Sequence, residues 1–306
     1  MYKLSGFTLL MAGCGLKPSG STVGSKNFTE QLVLGELLAQ YLEMTSKVPI
    51  ERRFYLAGSY ISHQALLAGR IDMYVEYTGT ALAAILKKPF TSDHTKVFDE
   101  IKQEYARRWN LEVMPSLGFD NTFAMAMRGQ HARKLGIKAL SQLAPFAPQM
   151  RLGVGYEFLE RPDGYKGLVS KYGLRFSETP RVMDLGLLYR ALQNQQVDIV
   201  AGSNTDGLIA ALDLVVLADD EHYFPPYEAV PIVRRECLEK FPAIGNALQR
   251  LSGRITEQDM RRLNYAVDGE KKDVVAVVRE FLNEKKIAGV CKIPPPVILN
   301  VAPRKT

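Results

Sequence analysis

The stretch IDMYVEYTGT, residues 71–80, opens as a strand and closes as the start of a helix. Ile71, Met73 and Val75 alternate with Asp72, Tyr74 and Glu76, the period-two pattern of a half-buried strand. Tyr77 follows, then Thr78, Gly79 and Thr80, and the apolar spacing of ALAAIL (residues 81–86) turns helical. A strand that hands a tyrosine, two hydroxyls and a glycine to a helix start places them where α/β proteins hold ligands. The stretch predicts an α/β fold with a binding site at a strand end.

The flanking sequence extends the same rhythm. A short strand around Thr22–Gly24 precedes Asn27, which reads as a helix N-cap with Glu30 as its capping-box partner. Leu34, Leu37, Leu38, Tyr41 and Leu42 then recur on one face of a helix. IERRFYLA (50–57) reads as a strand and SYISHQALLAGR (59–70) as a helix, so the first unit is a βαβαβ run and implies a parallel sheet. A second unit begins near Asn121, with strands in TFAMAM (122–127), RLGVGY (151–156) and LRFSET (174–179). The helix LGLLYRALQNQQ (185–196) runs into the strand VDIVAGS (197–203), which again ends in a polar cluster, here residues 203–207. Two prolines precede a further strand near residue 230 that returns to the first unit, and the remainder reads as mostly helical.

At 306 residues the chain fits two domains, and its 46% apolar and 24% charged content is that of an ordinary globular protein. The balance of 39 basic against 33 acidic residues gives +6, with no basic run that would make a nucleic-acid stripe. Cys14, Cys237 and Cys291 have the spacing of neither a disulfide framework nor a metal site. Cys14 follows MYKLSGFTLLMAG, in which a lysine, a short apolar stretch and two small residues have the form of a bacterial lipoprotein signal. The apolar run is far short of the roughly 20 residues that cross a bilayer. Residues 1–14 are therefore expected to be a signal segment, with Cys14 as the lipidated position of a periplasmic or cell-surface protein.

No nucleophile elbow, phosphate loop, zinc-protease pair or CxxC motif is present. The four histidines are scattered without metal-ligand spacing and read as surface or loop residues. No enzyme, metal or cofactor is predicted. The residues left at strand ends are Lys26, Tyr77, Thr80, the 121–123 turn, the 202–206 cluster and Tyr227. Several aromatic rings around one pocket suit a quaternary ammonium, each worth roughly 0.5–1 kcal/mol when exposed and about 2 when desolvated. Lys and Arg donors opposite them would hold a carboxylate.

GSKNFTEQLVLGELLAQYLE, LLAGRIDMYVEYTGT, DNTFAMAM, EFLERPDGYKGL, QVDIVAGSNTDGLI and DDEHYFPPYEAVPIVR together resemble successive motifs of the glycine betaine/choline, or osmoprotectant, family of ABC-transporter substrate-binding proteins. The resemblance implies a type II periplasmic-binding-protein fold, two α/β lobes joined by two crossover strands and closing on ligand like a hinge. On that reading residues 15–121 and 229–306 form lobe 1 and residues 122–228 form lobe 2. It implies an aromatic cage that includes Tyr77, Tyr227 and Phe123, and carboxylate contacts from Lys26, Thr80 and Arg161. Ser203 stands where relatives that bind glycine betaine often carry a cage tyrosine, which weakens a small trimethylammonium and leaves room for a larger betaine such as ergothioneine. Tyr156 and Asn204 are further candidates to shape that wall. The implied partners are a quaternary-ammonium or zwitterionic solute, a permease and an ATPase, and the membrane through the lipid. A ligand-sensing module for a membrane receptor is the alternative.

Overall fold

A computed structural model describes residues 20–89 and 91–287. The expectations for the signal segment, Cys14 and Cys291 lie outside these residues.

Two five-stranded sheets organise the chain. The first contains β1 (Ser21–Gly24), β2 (Ile50–Arg53), β3 (Met73–Tyr77), β4 (Leu111–Val113) and, much later, β10 (Ala229–Arg234), in the order β2-β1-β3-β10-β4. The second contains β5 (Phe123–Arg128), β6 (Leu152–Val154), β7 (Arg181–Val182), β8 (Ile199–Ser203) and β9 (Leu214–Val216), in the order β7-β6-β8-β5-β9. Each is mixed. β1, β2 and β3 run parallel, and β10 is antiparallel to both β3 and β4. In the second sheet β6 is parallel to β7 and β8, while β5 is antiparallel to β8 and β9.

The chain passes between the sheets twice, after β4 and before β10, and the two passing segments lie side by side. Asp120 bridges Glu228, and backbone bonds join Leu117 to Ala229, Ala229 to Phe119 and Asn121 to Tyr227. Paired crossing strands leave the lobes a common axis to bend about.

β3 is not half-buried as its alternation predicts, for all five of its residues are buried. It sits in the middle of its sheet with helices over both faces, where polar side chains must find partners rather than solvent. Glu76 does so with Lys26, and the Tyr74 hydroxyl donates to the same carboxylate at 3.1 Å.

Helix α1 (Thr29–Ser46) carries the expected stripe of Leu34, Leu37, Leu38, Tyr41 and Leu42, all buried. Its N-cap is Phe28 rather than Asn27, with no side-chain cap bond. Glu30 does not fold back into a capping box; it turns inward. After β3, residues Ala81–Ile85 form a π-helical turn rather than a regular α-helix. LRFSET forms no strand. The parallel partner of β6 is the later pair Arg181–Val182. His63 is also buried, against expectation, edge-on to the Tyr105 and Trp109 rings at 5.5 and 4.5 Å, and burial lowers its pKa to about 4. Among the described residues no helix is long and apolar enough to cross a membrane.

Candidate functional site

Lys26, Tyr77, Thr80, Phe123, Arg161, Ser203 and Tyr227 all line one cavity of about 400 Å³ between the sheets. Both lobes and both crossing segments contribute. Lys26 follows β1, while Tyr77 ends β3 and Thr80 lies one turn beyond it. Phe123 opens β5, Ser203 ends β8, and Tyr227 sits on the return crossing before β10.

On the lobe-2 side, Phe123 is the hub of a group of rings. Its centroid lies 5.5 Å from that of Tyr227, nearly perpendicular, 4.9 Å from Phe158 and 5.6 Å from Phe224. Edge-to-face pairs in this range add about 0.5–1.5 kcal/mol beyond their buried area. The Arg161 guanidinium sits 5.0 Å from the Phe123 centroid and 5.7 Å from that of Tyr227. Asp163 holds it through Nε at 2.9 Å and Nη2 at 2.5 Å. Nη1 donates to Thr80 Oγ1 of the other lobe at 2.9 Å. The Tyr227 hydroxyl donates to Asp163 at 2.5 Å.

Lys26 repeats the scheme on the lobe-1 side. Its ammonium lies 4.8 Å from the Tyr77 ring centre and is paired with the buried Glu76. The two cations therefore do not stand opposite the rings as free donors. Each is packed on a ring and neutralised by an acid, because a cation taken out of water needs a counter-charge close by. Donors remain for a ligand, since an ammonium and a guanidinium each carry more N–H groups than these bonds use.

A third group was not legible as part of the site. The Glu30 carboxylate accepts from the Tyr77 hydroxyl at 2.6 Å and from the side-chain amides of Asn121 at 2.5 Å and Asn264 at 2.9 Å. Burial raises its pKa, while bonds from Thr205, Tyr77, Asn264 and Asn121 work in the opposite direction. Asn121 also accepts from the Ser203 hydroxyl, so residues 121 and 203 are joined directly. Asp206 opens onto the same cavity and accepts from the Tyr189 hydroxyl and, at 3.1 Å, from the Ser203 amide. Burial pushes its pKa up to about 7, opposed by those two bonds and reinforced by the negative charges of Glu30 and Asp268. Glu30 and Asp206 have no ion-pair partner among the described residues. Lys26 and Arg161 each have one.

Beyond Ser203 the wall is made by Tyr189, Leu188, Leu208 and Leu212. Tyr156 lines the rim and is half exposed, whereas the Asn204 amide points away and reaches Glu257 at 3.3 Å. Tyr189 lies in the helix that leads into the strand at 197–203, and nothing in that segment's pattern sets it apart as a site residue. Glu30 was hidden by its spacing from Asn27, which suits a cap.

Comparison with known proteins agrees with this architecture. The family OpuAC, described as the substrate-binding domain of ABC-type glycine betaine transport systems, matches residues 22–284. An ergothioneine transport permease/ergothioneine binding protein of Helicobacter pylori is 36% identical over 284 residues, 90% of this chain. The match spans half of that protein's length. A carnitine transport binding protein of Listeria monocytogenes is 30% identical over 285 residues, covering 90% of this chain and 92% of its own. A crystal structure of a glycine betaine/carnitine/choline ABC transporter superposes with a TM-score of 0.74 at 32% identity, covering 88% of this chain and 99% of that one.

Proposed function

The chain belongs to the OpuAC family of ABC-type substrate-binding domains, and from that premise we propose that it captures a quaternary-ammonium solute in the cavity between its lobes. The observation that carries the reading is the gathering of Tyr77, Phe123 and Tyr227, with Lys26 and Arg161, around one hollow of about 400 Å³. Aromatic faces attract a methylated ammonium that has no N–H to donate. Lys26, Thr80 and Arg161 are assigned the carboxylate of a zwitterion, and the two lobes are taken as residues 15–121 with 229–306, and 122–228. Ser203 leaves the far wall to Tyr189 and the leucines around it, which favours a betaine with an extended side group, such as ergothioneine, over glycine betaine. No covalent chemistry is required. The protein acts outside the membrane, tethered through Cys14, and delivers its solute to a permease driven by an ATPase.

A thermal-shift screen tests the reading. A ligand that binds only the folded state raises Tm, by an amount set by its concentration over Kd. At least one of ergothioneine, carnitine, choline and glycine betaine is expected to raise it by several degrees at millimolar concentration. If none does, the assignment fails.

A pH dependence follows from Asp206. With its pKa raised to about 7, the carboxyl is mostly protonated at pH 6 and mostly ionised at pH 8. Ionisation adds negative charge to the cavity, so affinity for a net cation such as choline is expected to climb by up to about tenfold between those values. Calorimetry at each pH measures this, and Asp206→Asn should flatten the curve.

A further inference from the structure

At the rim of the cavity the lobes meet through a helix that lacks a cap of its own. Helix α2 (Ser59–Leu67) begins after Gly58, which has no side chain to accept from the first-turn amides. Such amides are left unsatisfied by the helix itself, and the helix start favours negative charge. In this structure the acceptor comes from the opposite lobe. The Ser59 amide donates to Glu157 Oε1 at 2.7 Å, and the Ser59 hydroxyl reaches Glu157 Oε2 at 3.4 Å. Glu157 lies on the short helix Tyr156–Glu160 that follows β6.

Gly58 shows how closely the same seam is packed. Its backbone is extended, at φ −72° and ψ −171°, which any residue can adopt. A Cβ there would stand 2.1 Å from Glu157 Oε1 and 2.5 Å from the Tyr156 hydroxyl, so a side chain would have to push those two side-chain ends out of the seam. Other bonds also join the lobes. Arg161 reaches Thr80 and Asn264 reaches the Thr205 carbonyl through buried side chains. Asn204 bonds to Glu257, and Arg261 to the Asn204 carbonyl, nearer the surface, but Asn204, Glu257 and Arg261 do not line the cavity. The Gly58–Glu157 contact lies beside the half-exposed Tyr156 and Tyr55, where a solute would enter and leave.

We propose that Glu157 is a positioning residue, which caps α2 across the lobe interface when the cavity shuts and thereby slows escape of the bound solute. The inference rests on the reading of the cavity as the binding site. It adds a division of labour, in which the rings and cations select the ligand and the seam sets its residence time. Opening the lobes exposes the Ser59 amide to water, so the latch costs little to break and acts on release more than on capture.

Four variants of the full chain test this. Glu157→Ala removes the acceptor. Ser59→Pro removes the donor at the first helical position, where proline is tolerated. Glu157→Gln keeps an acceptor oxygen, and Gly58→Ala puts a methyl into the seam. Association and release of ergothioneine and of glycine betaine are followed by stopped-flow tyrosine fluorescence, and exchange of the Ser59 amide by NMR without ligand. Glu157→Ala and Ser59→Pro are each expected to raise koff about tenfold with kon within about twofold of wild type. Glu157→Gln should recover most of the loss, and Gly58→Ala should release at least as fast as Glu157→Ala. The Ser59 amide should exchange more slowly in wild type than in Glu157→Ala, in proportion to the time the ligand-free lobes spend closed. An unchanged koff in the first two variants overturns the proposal even if their melting temperatures fall. If wild type binds neither solute, the functional reading fails, and the seam is decided by exchange alone: equal Ser59 rates in wild type and Glu157→Ala sink it.

Discussion

Lys26→Met is expected to lower folding stability by about 3–5 kcal/mol, the range for removing one partner of a buried ion pair. Glu76 is completely buried and Lys26 nearly so. Without the ammonium, the carboxylate keeps the Tyr74 hydroxyl at 3.1 Å and the Tyr77 amide at 2.8 Å. Those bonds satisfy lone pairs and leave the charge unbalanced. Methionine fills most of the lysine's volume, so a cavity adds little to the loss. The double variant Lys26→Met/Glu76→Gln should regain most of it, because the amide is neutral, its oxygen still accepts from the Tyr77 amide, and its NH2 group can donate to the Tyr74 hydroxyl oxygen. Urea denaturation of the four proteins gives the coupling energy, expected to exceed about 2 kcal/mol. Additive losses would show that the pair is solvated and that Lys26 is free for a ligand carboxylate alone.

That result also bears on how far the sequence could be read. The alternation of residues 71–76 identifies β3 and its exit toward a ligand, since period and turn chemistry are local properties. Burial of both faces is not local. It depends on β10 arriving beside β3 from more than 150 residues away. The motifs bring the seven candidate residues to notice, but not what each touches. Asn121 meets Ser203, Lys26 meets Glu76, and Glu157 meets Ser59 only after the crossings have placed the two sheets face to face. Glu30 shows the limit most plainly. Its spacing from Asn27 satisfies the rule for a capping box, yet three partners in the interior hold it, and the Asn27 amide donates instead to the Ala57 carbonyl. Where the sequence offers two uses for one polar side chain, burial decides, because an unsatisfied interior group costs more than a frayed helix end.

Arg161→Ala is expected to reduce solute affinity at least a hundredfold, close to 3 kcal/mol and within the range for truncating one member of a buried charge pair at an interface. Three functions end together in this variant. The tie to Thr80 across the lobes is lost, the faces of Phe123 and Tyr227 lose the cation packed on them, and Asp163 is left buried with the Tyr227 hydroxyl as its hydrogen-bond partner among the described residues. An unpaired Asp163 would also draw a solute's ammonium toward itself and away from the rings. Arg161→Lys separates charge from shape. Lysine restores the positive charge but not the two-point grip on Asp163 or the simultaneous reach to Thr80, so it should recover only part of the affinity. Thr80→Val isolates the tie between lobes. It removes the acceptor of one guanidinium N–H while leaving the Asp163 pair whole, and should cost about 1 kcal/mol. Melting curves without ligand keep folding losses apart from binding losses, and calorimetry with the solute found by the thermal screen gives the affinities. Loss in the order Arg161→Ala, Arg161→Lys, Thr80→Val would place the guanidinium's main role in the charge balance of the cage. A Thr80→Val loss as large as that of Arg161→Ala would instead make lobe closure its dominant task.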